Sequence, residues 1–325
     1  MYGLNKQKLS EQQINHALHI VYGCKAVKIQ ELPDGWANSA YELSMEDGAS
    51  YIMKVSPPTS TQLMRYEYEL MKTEVEVLYL LSQVDQIPVP KVIAFDRSRT
   101  LLDGEFFIME KLEGAPYNKL KESMTEQERS SVESELGRYA RLMHDIKGTG
   151  FGPYCAPMDE TMSWREVFLI LLNSVLDDGE EAGLSLPIAY QELRDILYSH
   201  SVCMSDVTTP SLIHWDLWDG NLFVKDGKIT GIIDFERALW ADPLMEHYFS
   251  NTTLDAASFV QGYGKYEQLS PNEQKRVLYY KLCLDLIMYV ECHYRGYTDE
   301  RHLSWAKSNI EQGIASFLQQ IKLAE

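Results

Sequence analysis

The chain has 325 residues, 45% of them hydrophobic and 24% charged, a globular composition on a length that exceeds one ordinary core, so two lobes sharing a cleft are expected. With 30 basic and 48 acidic residues the net charge is −18, which repels nucleic-acid phosphates and anionic lipid and leaves a small molecule, cationic ones included, as the expected partner. The longest apolar stretch, around Val167 to Leu172, is far short of the ~20 residues that span a bilayer, so no membrane segment is expected.

The opening segment "MYGLNKQKLSEQQINHALHI" lacks a basic cap, an apolar core and a small-residue cleavage site, so a cytoplasmic protein is expected. Cys24, Cys155, Cys203, Cys283 and Cys292 are odd in number, scattered and without a C-x-x-C pair, which argues against a disulfide framework or a structural zinc site.

From Ala26 to Val55, "AVKIQEL", "ANSAYELSM", the turn "EDG" and "SYIMKV" predict a strand followed by a hairpin. Leu63 to Leu81 is rich in helix formers, with Leu70, Glu74, Val77, Leu78 and Leu81 at helical spacing, and predicts a helix that ends before the prolines of "QIPVPKV". "PKVIAFD", the turn "LLDGE" and "FFIMEKLEG" predict a second hairpin, completing a five-stranded sheet with one inserted helix. A short connector, Glu110 to Pro116, separates this sheet-rich part from a helix-rich one, and the expected division is residues 1–110 and 111–325. From Thr125 onward helices are expected to dominate: Thr125 and Glu128 are spaced as a capping box ahead of Val132, Leu136, Tyr139, Leu142 and Met143. Further helices are expected near Met245–Phe249, Asn272–Tyr294 and Glu300–Ile321.

The segment "LIHWDLWDGNLFVKDGKITGIIDFE", Leu212 to Glu236, interrupts the helices and concentrates acids. Asp216 precedes Asn221 by five positions, the D-x-x-x-x-N spacing of a kinase catalytic loop, where the acid accepts a hydroxyl proton and the amide oxygen holds a metal. "NLFV", the turn "KDGK" and "ITGIID" predict a hairpin that returns Asp234 beside Asn221, and hard oxygen ligands of this kind suit Mg²⁺. Asp219 reads as a loop acid and His214 as a residue that fixes the loop backbone. Glu236 is either a structural acceptor or a further acid near the metal.

A phosphate-binding cation is expected at Lys54 in "SYIMKV", although an edge strand commonly shows a lysine to water; its expected partner is Glu74, with Glu67, Glu69 and Glu76 as competitors. The turn in "PDGWANSAYEL" offers backbone N–H groups and Ser39 to cover phosphates, or is an ordinary hairpin turn. At the exit of "FFIMEKLEG" the Glu110 carbonyl and the Leu112 N–H are placed to pair with an adenine edge, with Met109 against the base.

Taken in order, "YIMKV", "KTEVEVLYLL...IPVPKV", "FFIMEKLEG", "ARLMHDI", "LIHWDLWDGNLFV" and "IIDFERALWADP" closely resemble the aminoglycoside phosphotransferase and choline kinase family of small-molecule kinases. The resemblance covers nearly the whole chain and implies an α+β, bilobal protein-kinase-like fold: an N-terminal five-stranded antiparallel sheet plus helix, and a C-terminal mainly helical lobe. It implies ATP, or GTP, in the cleft between them. It implies Asp216 as catalytic base, Asn221 and Asp234 as Mg²⁺ ligands, Lys54 as phosphate contact and Glu74 as its ion-pair partner. Two positions depart from the family pattern: Glu246 in "ADPLMEHYF" is one methylene longer than the usual acid, and Trp36 stands where a small residue is common.

Only seven residues, "FERALWA", separate Asp234 from Asp242, too few for the activation segment on which a protein kinase orders its peptide. Asp242-Pro243 reads as an N-cap with proline at the first helical position. The acceptor is therefore expected to be a small hydroxyl compound, cationic ones such as an aminoglycoside or amino alcohol included, bound by a monomer or homodimer. For its pocket wall the acids Asp177, Asp178, Glu180 and Glu181 read first as a solvated helix end and second as substrate contacts. Asp285, Tyr289, Glu291 and His293 read as a site for amines or as an amphipathic core helix. The rival expectation is a catalytically silent kinase-like module that binds a nucleotide or ligand.

Overall fold

Ser10 starts the chain's first helix, α1 (Glu11–Tyr22), through a capping box with Gln13, and Gly23 ends it at φ +80°. In the computed structural model, which describes residues 5–33, 37–250, 256–265 and 268–323, α1 packs on one face of a sheet formed by β1 (Ala26–Leu32), β2 (Ser39–Met45), β3 (Ser50–Val55), β4 (Val92–Asp96) and β5 (Phe106–Glu110). The strand order is β1-β2-β3-β5-β4 and every neighbour pair is antiparallel. Residues alternate between faces. Thus Tyr41, Leu43, Met53, Val55, Phe106 and Ile108 form a core with Ile14 and Leu18 of α1, whereas Lys54, in register with Ala40 and Phe107, lies on the other face.

That other face is covered by α2 (Leu70–Leu81), which buries Glu74, Val77, Leu78 and Leu81. The helix expected over 63–81 starts only at Leu70, because tertiary pairing outweighs local propensity in the preceding residues. Glu67 accepts from the Met64 N–H and pairs with Arg295. Glu69 sits in the left-handed region at φ +54° and pairs with Arg97. Asp34, Gly35 and Trp36 lie outside the described residues.

Beyond β5 the chain crosses through β6 (Ala115–Pro116) and the short α3 (Tyr117–Leu120) to α4 (Glu126–His144), where Thr125 and Glu128 form the expected capping box. After β7 (Gly152–Pro153) come α5 (Trp164–Glu181) and α6 (Tyr190–His200), then the strands β8 (Ser211–Ile213), β9 (Leu222–Lys225), β10 (Lys228–Ile232) and β11 (Leu239–Ala241). These small strands make two sheets, β10-β9-β6 and β7-β11-β8. Helices α7 (His247–Ser250), α8 (Ala256–Tyr263), α9 (Pro271–Tyr294) and α10 (Glu300–Leu323) complete the lobe. Asp242 accepts from the Leu244 N–H and caps a single 3-10 turn with Pro243 at its start, so the expected cap is there but the helix proper waits until His247. Helices α1 and α8 were not anticipated. The architecture is the bilobal, protein-kinase-like one expected: a five-stranded antiparallel sheet with its helix ahead of a mainly helical lobe. Among the described residues no helix is long and apolar enough to cross a membrane.

Candidate active site

The segment after β8 is pinned from three directions. His214 is buried; its Nδ1 accepts from the Asp216 N–H at 3.2 Å, so its proton sits on Nε2, which donates to the Ile233 carbonyl at 2.8 Å. The Phe235 ring packs against the imidazole, with centroids 4.4 Å apart. The His214 N–H donates to Glu246 Oε2 at 2.9 Å, and His144 Nε2 lies 3.4 Å from the same oxygen. The longer acid at Glu246 therefore reaches the loop. Burial pushes its carboxyl up, but His144 and His214 outweigh that and hold it below the usual glutamate range. Glu246→Ala would strand the buried His214 N–H and is expected to cost about 3 kcal/mol of unfolding free energy in urea titration; a loss within the ±0.5 kcal/mol of an ordinary surface change would contradict the role.

On this loop Asn221 Nδ2 donates to the Asp216 carbonyl at 2.8 Å and to Asp216 Oδ2 at 3.2 Å, which leaves the amide oxygen for another partner. The β9–β10 hairpin turns the chain back, and the Ile233 N–H donates to the Asn221 carbonyl at 3.0 Å. Asp234 follows at φ +71°, a conformation a non-glycine residue adopts at a cost of ~1–3 kcal/mol and keeps where its surroundings impose it. Trp215, beside Asp216, also lies in this region, at φ +66°; for a bulky side chain this is an outlier.

Opposite stands Lys54 of β3, its Nζ 2.5 Å from Glu74 Oε1 and 2.8 Å from Asp234 Oδ1. Glu74 also accepts from the Asp234 N–H at 3.2 Å. Of its competitors, Glu67 pairs with Arg295, Glu69 with Arg97 and Glu76 with Lys72. Burial pulls the Lys54 ammonium down, yet Asp234 and Glu74 hold it above its ordinary value; burial pushes Asp234 up, and the ammonium keeps it below. Glu236 is pushed to about 8 by burial and then by Asp234. Glu74, Asp234 and Glu236 each bring a carboxylate oxygen within 4.8 Å of the others, and Glu74 Oε2 is buried with no hydrogen-bond partner. Carboxylate oxygens gathered in this way are the donors a hard divalent cation such as Mg²⁺ takes.

Asp216 is half-buried, and burial raises its carboxyl above the 3.8 of a solvated aspartate against the pull of Arg237. An aspartate that serves as a base must be ionised, so with Asp216 in that role kcat/KM is expected to fall as pH drops through this raised value. A pH profile whose acid limb lies at or below 3.8 would contradict Asp216 as the base.

The remaining expected residues divide. Met109 is buried, Glu110 ends β5 with its N–H on the Lys91 carbonyl at 2.9 Å, and Leu112 follows with its side chain against Gly231, so the three lie at the passage between lobes. Ser39 does not reach the cleft: it shares the α1 face of β2, where its Oγ accepts from the Gln7 N–H at 2.7 Å. One residue earlier, Asn38 Nδ2 donates to Glu236 Oε2 at 2.7 Å across the cleft, and no local signal marks it. Asp219 binds the Tyr248 hydroxyl and Lys121, as a loop acid should.

The candidate acceptor walls are already paired. Arg65 binds Asp178 and Glu181, and Arg194 binds Asp177 and Glu180. Lys281 holds Asp285. Glu291 lies between Arg237 at 2.8 Å and Arg295 at 3.1 Å, and Arg295 continues to Glu67. This buried chain ties the segment joining β3 to α2 onto α9, and the sequence reading missed Tyr66, Arg237 and Arg295 in it.

A model described as the phosphotransferase enzyme family matches residues 28–271. Among curated proteins the chain is similar to the Arabidopsis thaliana protein named probable acyl-CoA dehydrogenase IBR3, 22% identical over 256 residues, 73% of this chain and 30% of that one. It is also similar to an aminoglycoside 3'-phosphotransferase of Enterococcus faecalis, 28% identical over 181 residues, 55% of this chain and 64% of that one. The match thus spans less than two thirds of either relative. Among solved structures, a thermostable mutant of the aminoglycoside phosphotransferase APH(4)-Ia in ternary complex with ADP and hygromycin B shares the fold, with TM-score 0.67 at 16% identity over 94% of this chain and 98% of that one.

Proposed function

The chain belongs to the phosphotransferase enzyme family, and from that premise we propose that it transfers the γ-phosphate of ATP, or of GTP, to a hydroxyl of a small acceptor held between a nucleotide lobe, residues 1–110, and a helical lobe, residues 111–325. One observation carries the reading: Lys54 bridges Glu74 and Asp234 at 2.5 and 2.8 Å while, on the facing loop, Asn221 holds Asp216. A cation fixed between two acids, next to an amide and a second aspartate, is the layout needed to place phosphates against an incoming hydroxyl.

Asn221 and Asp234 would hold Mg²⁺, with Glu236 close by; when bound, the ion neutralises phosphate oxygens. Lys54 contacts the phosphates, and Glu74 fixes its ammonium. Met109, Glu110 and Leu112 receive the base. Asp216, oriented by Asn221 and by its N–H on His214, accepts the proton of the acceptor hydroxyl. A small acceptor is supported by the short passage from Asp234 to Asp242, which is taken up by a 3-10 turn at Phe235–Arg237 and by β11, paired with β8; no length remains for a peptide-docking segment. An aminoglycoside or amino alcohol has weaker support, since the acids that would draw it are bound to arginines.

The test is a thermal shift with Mg²⁺ and ATP or GTP, followed by nucleotide-consumption assays over sugars, cyclitols, amino alcohols and aminoglycosides. Stabilisation by nucleotide with turnover of one acceptor class supports the proposal. Binding without turnover on any acceptor would favour the silent module instead.

A further inference from the structure

We infer, on the kinase reading above, that Asp219, Tyr248 and Lys121 are positioning residues, which hold the far end of the catalytic loop so that Asn221 meets the metal. The loop from His214 to Asn221 is gripped at both ends by one short stretch of chain. Glu246 accepts from the His214 N–H at 2.9 Å, and the Tyr248 hydroxyl, two residues on, donates to Asp219.

Asp219 opens a single 3-10 turn, Asp219–Asn221, and the Asn221 N–H donates to the Trp218 carbonyl at 2.9 Å. Both carboxylate oxygens of Asp219 are engaged: Oδ1 accepts from the Tyr248 hydroxyl, and Oδ2 accepts from Lys121 Nζ at 3.2 Å. An acid that served only its own turn would bond its own backbone; Asp219 bonds instead to α7 and to the residue after α3. Its partners are themselves held. Tyr248 is buried, with its ring stacked on Phe259, centroids 4.8 Å apart. Lys121 Nζ lies 3.3 Å from Glu133 Oε1, and this buried carboxylate of α4 accepts from the Tyr117 hydroxyl at 3.1 Å. The turn is also tightly packed, because the Trp218 indole comes within 2.2 Å of where a Cβ on Gly220 would stand. From the turn the bonds run on to the reacting group: Asn221 Nδ2 donates to the Asp216 carbonyl and to Asp216 Oδ2. A metal ligand owes its orientation to the groups bonded behind it, and a framework reaching α3, α4 and α7 supplies that support to Asn221.

The test is calorimetric binding of AMP-PNP to the full chain, once with saturating Mg²⁺ and once with EDTA; the ratio of the two affinities isolates the contribution of the ion. Tyr248→Phe, which removes one hydroxyl and keeps the stacked ring, and Lys121→Met are each expected to lower that ratio about fivefold, the worth of one hydrogen bond, with the affinity in EDTA within about twofold of wild type. Lys121→Arg is expected to restore most of the loss. Because the bonds act through Asn221, Tyr248→Phe is expected to have no further effect on the ratio in an Asn221→Ala background. A merely structural anchor would lower the melting temperature and leave the ratio unchanged. A wild-type ratio in Tyr248→Phe or in Lys121→Met, or an undiminished effect of Tyr248→Phe on top of Asn221→Ala, would overturn the inference; if one variant does not fold, the other decides. The wild-type chain separates the two levels. If Mg²⁺ does not strengthen its AMP-PNP binding, the kinase reading falls and this inference with it, whereas Mg²⁺-strengthened binding beside any of those results removes the positioning role alone.

Discussion

Asp216→Asn is expected to lower phosphoryl transfer by at least about 10³-fold while leaving the dissociation constant of Mg²⁺-ATP within about twofold of wild type. The substitution keeps the shape of the side chain and an oxygen that can accept from Asn221 Nδ2, so the loop geometry, in which Asn221 also binds the Asp216 carbonyl at 2.8 Å, is preserved. What is lost is the capacity to take a proton. His214 cannot substitute for it, because its Nδ1 is engaged with the Asp216 N–H and its Nε2 with the Ile233 carbonyl. Single-turnover phosphoryl transfer measured beside calorimetric nucleotide binding reads both numbers, and full turnover by Asp216→Asn would refute the assigned base.

The second large effect is expected on the nucleotide itself. Asp234→Ala should weaken Mg²⁺-ATP binding by about 100-fold or more, since loss even of a residue that only supports a metal ligand costs 10–100-fold. The fold should survive the change, because Lys54 keeps Glu74 at 2.5 Å and Glu74 is rooted in the buried face of α2. Binding without Mg²⁺ should change far less, as the difference lies in the ion. An unchanged dissociation constant in calorimetry with Mg²⁺ would remove Asp234 from the metal site.

Much of this site was legible because its parts are close in sequence. Asp216, Asn221 and Asp234 fall within one loop and one hairpin, so spacing and turn residues suffice to bring them together. Lys54 and Glu74 are joined by helix periodicity, but periodicity alone could not choose among Glu67, Glu69, Glu74 and Glu76; their separate cations, Arg295, Arg97 and Lys72, make the choice in three dimensions. The segment from Leu63 to Glu69 was misread as helix because its residues favour one locally, while Arg65 and Glu67 are drawn to partners more than 100 positions away. The same distance hid the Asn38 bond to Glu236, which spans 198 positions. The backbone strain at Trp215 has no sequence signature, since a tryptophan gives no hint of a left-handed conformation.

The most direct test of the account is a crystal structure with Mg²⁺ and AMP-PNP. The expected result is an ion liganded by Asn221 Oδ1 and an Asp234 carboxylate oxygen, with Lys54 on the phosphates and Asp216 facing the γ-phosphorus from the acceptor side. An ion bound instead by Glu74 and Glu236, with Asn221 and Asp234 turned from it, would contradict the account.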